Sequence, residues 1–143
     1  MIDIKDMVFD KVYTSVAADA SMSYVEVKDN FVEKTAKFPC VIVKEIENTS
    51  YQRTNTDDCA ENHARLTYEI SVYSDKKDTA KSECRKIINF VDGVMQSMKF
   101  RRTRLNEPLN ISRTIFRQYA RYSVIVAKGI TSGNDTIYQM YRR

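Results

Sequence analysis

Residues Leu66–Phe100 read LTYEISVYSDKKDTAKSECRKIINFVDGVMQSMKF, and a change of period inside this stretch decides the fold. Leu66, Tyr68, Ile70 and Val72 alternate with Arg65, Thr67, Glu69 and Ser71. That is the two-residue period of a half-buried strand. Ser74 or Asp75 then offers an oxygen to the free N–H groups of a helix start. From there Ala80, Cys84, Ile87, Val91, Val94 and Met98 step by fours and threes, which places them on one helical face. Ile88 and Met95 widen the stripe to a width that suits packing on a sheet rather than a coiled-coil seam. Lys77, Lys81, Arg85, Asn89, Asp92 and Gln96 fall mainly on the other side. The stretch predicts a strand, a turn and a helix over about 75–98 that buries one face.

Working toward the N-terminus, Phe38–Ile46 is a run rich in β-branched residues, with Pro39 where a strand start tolerates it. Tyr24–Val27 fits a short strand or an extended arm, and Lys28–Lys37 has no clear pattern. Ile4, Val8, Val12 and Val16 recur every four residues and predict a helix over about Asp3–Ala18. Asp3 is the expected cap, and Asp6 is favoured by the helix dipole. Between the strands, Asn48–His63 is a long polar connection with almost no apolar content.

Beyond Phe100 the chain turns basic. Lys99, Arg101, Arg102, Arg104, Arg113, Arg117 and Arg121 face one acid, Glu107, a net +6 inside a chain whose total is +4, so the remainder carries −2. Asn106–Asn110 reads as a turn. Tyr119–Ala127 reads as a strand with Tyr122, Val124 and Val126 on one side. Gly129 and Gly133 bracket a joint, and Thr136–Tyr141 is a strand-like tail in which Ile137 alternates with Tyr138.

These elements define an α+β fold: a mainly antiparallel sheet of about four strands, with the N-terminal and central helices on one face. The expected strands are Phe38–Glu47, Arg65–Ser74, Phe100–Arg104 and Arg117–Ala127. A chain of 143 residues suffices for one such domain, over 1–128, with a C-terminal tail at 129–143. No apolar run approaches the length of a membrane span, and the first residues lack the pattern of a signal peptide. Three cysteines, Cys40, Cys59 and Cys84, are odd in number and read as free thiols in a reducing cytoplasm.

The motifs of catalysis and cofactor binding are missing. Asp57, Asp58, Cys59, Glu61 and His63 are possible metal ligands, but their spacing fits neither a zinc nor a calcium loop. Cys59 and His63 share one long connection in which nothing fixes a nucleophile–base geometry. The three glycines, at 93, 129 and 133, form no phosphate loop. No catalytic, cofactor or metal site is therefore expected. The basic segment Lys99–Arg121, interleaved with Phe100, Phe116, Tyr119 and Tyr122, leaves a nucleic-acid-binding module as the alternative to a protein-docking surface.

Phe38-Pro39-Cys40-Val41-Ile42-Val43-Lys44-Glu45 resembles the Phe-Pro-led first strand of bacteriophage tail-completion proteins, also called tail terminators or head–tail joining proteins. Tyr68–Ser74 resembles their second strand. Ile87–Gly93 through Lys99–Arg102 resembles their central helix and its exit, and Arg117–Ala127 their final strand. The resemblance spans about Phe38–Ala127. It implies a structural virion protein assembled in the bacterial cytoplasm. Such a protein forms a hexameric ring that caps the tail tube, ends its growth and meets the head connector or sheath, with nucleic acid only passing through the lumen. On that reading Arg101, Arg102, Arg104, Arg113 and Arg117 are the expected partner contacts. Ile137 and Tyr138 of the tail are expected to pack on a neighbouring subunit or tail protein.

Overall fold

The computed structural model describes residues 2–29, 37–50, 63–76, 78–112, 114–132 and 135–141. Helix α1 spans Lys5–Ala18. Strand β1 (Glu26–Lys28) precedes β2 (Cys40–Ser50) and β3 (His63–Ser74). Helix α2 (Ala80–Ser97) leads into β4 (Arg101–Leu105), β5 (Leu109–Ser112), β6 (Ile115–Ser132) and β7 (Asp135–Tyr141). The α+β class stands, but the sheet has seven strands rather than about four. The additional ones are β1, β5 and β7. The first two are too short to show a period, at three and four residues. They exist as strands because a longer neighbour supplies their hydrogen bonds.

The sheet runs β1-β2-β3-β6, and β6 then shares its far edge among β5, β4 and β7. The β1–β2 pairing is parallel and the other pairings are antiparallel. β3 and β6 form the spine, in unbroken register from His63 opposite Ala127 to Ser74 opposite Phe116. Side chains on one face of this pair are Ala64, Leu66, Tyr68, Ile70 and Val72 from β3, with Ala120, Tyr122, Val124 and Val126 from β6. They share one core with Val8, Val12 and Val16 of α1 and with Cys84, Ile87, Ile88, Val91 and Met95 of α2. The period-2 reading of β3 fails at its end, where Ser71 and Tyr73 are buried as well. There the opposite face carries its own small cluster of Cys40, Ile42, Tyr73 and Ile115, flanked by Phe38.

Both helix starts are later than expected. α1 begins at Lys5, and Asp3 still accepts the Lys5 N–H at 3.1 Å from just outside the helix. α2 begins at Ala80, because Ser74 stays in β3 and its hydroxyl donates inward to Glu83 Oε1 at 2.7 Å. Neither Ser74 nor Asp75 is therefore the cap; that position is Thr79, without a side-chain bond. The helix end has no glycine. Lys99 takes the left-handed conformation, with φ 72°. Its N–H bonds Gln96 O and the Phe100 N–H bonds Met95 O, so the last carbonyls are satisfied as in a Schellman motif.

The expected joint at Gly129 lies inside β6, which continues to Ser132 and turns back as β7. The C-terminal segment thus pairs on the chain's own sheet, with Met140 opposite Val126 and Tyr138 opposite Lys128.

Two substitutions test this packing. Val91 is fully buried, so Val91→Asp should lower the unfolding free energy by about 3 kcal/mol or more, read by urea denaturation. Lys99→Gly relieves a left-handed non-glycine residue and should raise stability by up to about 1 kcal/mol in the same measurement.

Candidate functional site

Beyond the apolar cluster of Cys40, Ile42, Tyr73 and Ile115, the side of the β3–β6 pair opposite the main core is polar. The β3–β6 register sets its composition: Glu69 lies opposite Arg121, Ser71 opposite Tyr119 and Tyr73 opposite Arg117. β2 adds Lys44 opposite Glu69. β4 brings Arg101 opposite Ser123 and, after a bulge, Arg104 opposite Arg121.

Glu69 is the anion at the centre. Arg117 Nη2 donates to its Oε1 at 2.6 Å and Arg121 Nε to its Oε2 at 3.1 Å. Arg117 also donates to the Ser71 hydroxyl at 3.0 Å. Three guanidiniums stand around the Tyr119 ring, those of Arg117, Arg121 and Arg104 at 4.8, 5.5 and 5.9 Å from its centroid. Such contacts contribute about 0.5–1 kcal/mol each at exposed sites, and they hold the arginines in a fixed array. Beside them Arg65, Arg101, Thr103 and Ser123 line a shallow depression. Leu109, opposite Arg117 in register, and Ile111 are exposed at 59% and 46%.

The five arginines expected to act together are split by this geometry. Arg101 and Arg104 are exposed at the edge of the face. Arg117 is on it but half-buried and committed to Glu69. Arg102 is on the other side, where its Nη1 meets Asp92 Oδ1 at 3.2 Å. Arg113 lies outside the described residues. Ile137 and Tyr138 are on β7, which pairs with β6. The sequence pattern named Tyr119 only as an aromatic beside the basic segment and did not single out Lys44 or Arg65 as site residues. Their position on the polar side of alternating strands was the available signal, but only register brings Lys44 opposite Glu69 and Arg65 to the depression it shares with Arg101.

Other acids with little exposure join the elements on the core side. Asp92 accepts the Tyr122 hydroxyl at 2.7 Å in addition to Arg102. Burial, and then the bond to Asp92, push the Tyr122 hydroxyl pKa well above its ordinary range. Glu83, in the first turn of α2, takes the Ser74 hydroxyl and the Lys76 ammonium. Tyr68 donates to Glu45 Oε1 at 3.3 Å, and its pKa is also raised, chiefly by burial.

Of the possible metal ligands in the long connection, His63 opens β3 and Asp57, Asp58, Cys59 and Glu61 lie outside the described residues. Among the described residues no group of three or more metal-ligating side chains forms. No described helix is long and apolar enough to cross a membrane. No protein-family model matches the chain, and no curated protein matches it.

Cys40 and Cys84 are buried free thiols, and burial is the first cause that pushes both up to about 12. The unfolded chain releases these protons from about pH 9, whereas the folded chain keeps them. Stability should therefore fall as pH rises from 9 toward 12. In a Cys59→Ser background, urea midpoints should drop between pH 8 and 10.5, and a Cys40→Ala/Cys84→Ala variant should show a smaller drop. A thiol reagent at pH 8 should label the two cysteines only on unfolding.

Proposed function

We propose that this chain is a structural subunit of a bacteriophage-type tail, a tail terminator. Its ring, a hexamer on this reading, caps the tail tube and offers a surface to the head connector. The observation that carries the reading is the order and pairing of elements across Phe38–Ala127. Two long antiparallel strands, a helix, a short edge strand and a long return strand follow one another as the resemblance requires. On this reading both helices cover one face of the sheet and leave the arginine-bearing face for partners. The buried and half-buried acids support it too. Glu69, Glu83 and Asp92 are each engaged by neighbouring side chains, so they serve the frame rather than chemistry on a substrate.

Nucleic-acid binding is the second reading, and the surplus of arginine on the outer sheet face favours it. Base stacking does not. Phe100 and Tyr122 are fully buried, Lys81 lies over the Phe116 ring, and guanidiniums surround Tyr119. What remains for that reading is contact with phosphate.

The test is assembly. The purified chain should show a mass near six times 16.6 kDa by native mass spectrometry, and it should cap isolated tail tubes in electron micrographs. Cells producing particles without it should make tubes of uncontrolled length. Tubes of normal length in its absence would sink the assignment.

A further inference from the structure

The outward side of α1 is chemically the complement of the outer sheet face. Asp6 and Asp10 are four residues apart on α1, away from the buried Val8, Val12 and Val16, and Asp3 lies just before the helix. Met7 and Tyr13, 41% and 53% exposed, lie among them. Tyr13 stacks on Phe9, with ring centroids 6.2 Å apart. The basic residues of α1 lie off this stripe: Lys5 reaches back to Glu45 at 3.7 Å, and Lys11 sits to one side. Asp6 and Asp10 have no ion-pair partner among the described residues. The sheet face offers the reverse. Arg65 and Arg104 have no acidic partner among the described residues, Lys44 is exposed, and on β5 the apolar Leu109, opposite Arg117, and Ile111 are exposed. Aliphatic side chains next to an arginine–tyrosine array are the composition of a protein interface, and phosphate contact has no use for them.

We infer that the acidic, Met/Tyr-bearing stripe of α1 on one copy docks on the arginine-bearing sheet face of the next copy. The two patches lie on opposite sides of the domain, since α1 buries its valines in the core with Val41 and Val43 of β2. The sheet face looks the other way. A contact between two different patches is head-to-tail, and repeating it closes a ring when the rotation allows. Arg104 and Arg121 are already held by the Tyr119 ring, so less side-chain freedom is lost on docking. The inference rests on the ring reading and names the surfaces that build it.

Charge reversal tests it. An Arg65→Glu/Arg104→Glu variant and an Asp6→Lys/Asp10→Lys variant change only side chains outside the core, and circular dichroism melts verify the folds. Should either fail to fold, Arg65→Gln/Arg104→Gln and Asp6→Asn/Asp10→Asn probe the same faces. Each variant alone should need at least about tenfold more protein to assemble, read by analytical ultracentrifugation. Mixing the two, or combining all four changes in one chain, should restore assembly, because Glu then meets Lys across the contact. Wild-type assembly by either single variant overturns the contact while leaving the ring reading intact. So does failure of the combined variant to recover. A variant that still assembles but loses salt-sensitive binding of duplex DNA, or no longer caps tubes, assigns the sheet face to phosphate or to tube protein and also overturns it. A wild-type chain that stays monomeric at all concentrations removes both readings.

Discussion

The unbroken ladder between β3 and β6 is the constraint on which the remaining structure depends. Twelve residue pairs run from His63–Ala127 to Ser74–Phe116 without a shift. Side chains alternate across a strand, so this register sends Leu66, Tyr68, Ile70, Tyr122 and Val124 to the helices. It sends Glu69, Arg117, Tyr119 and Arg121 to the other face. A slip of one residue would exchange the two sets, burying charge and exposing the core. Irregularity lies in the other pairings, where β2 shifts between Glu45 and Glu47, β4 between Arg102 and Arg104, β5 between Asn110 and Ser112, and β6 against β7 between Lys128 and Thr131.

The charged residues divide by the same geometry. Asp92, on α2, is bound to Tyr122 of β6 and Arg102 of β4, so one carboxylate joins three elements. Glu83 bonds Ser74 at the far end of β3 and fixes the other end of the helix. Desolvating these acids is costly, and the hydroxyl and cationic donors around them offset that cost. Glu69 does the same on the outer face, where it organises Arg117 and Arg121. The frame's acids are thus engaged internally, while Arg65 and Arg104 of the outer face carry charge that no acid among the described residues meets.

The sequence alone determined the class of fold, the faces of α1 and α2, and the inward side of β3 and β6. Period and side-chain size carry that information locally: Val8, Val12 and Val16, or Ile87, Val91 and Met95, can share a face in only one kind of element. It also placed the chain exit at Phe100, although the left-handed Lys99 gave no glycine signal. What only the tertiary structure decided was partnership. β5 is a strand because it pairs β6, and Asn106, read as part of a turn, bonds the Tyr119 N–H at 2.7 Å through its side chain. Arg102 and Arg104 are two residues apart in one basic run, yet the β4 bulge and the Asp92 carboxylate give one to the frame and leave the other on the surface. Electrostatic pairing depends on distances between residues tens of positions apart, such as Glu69 and Arg117, and those distances exist only once the strands are in register.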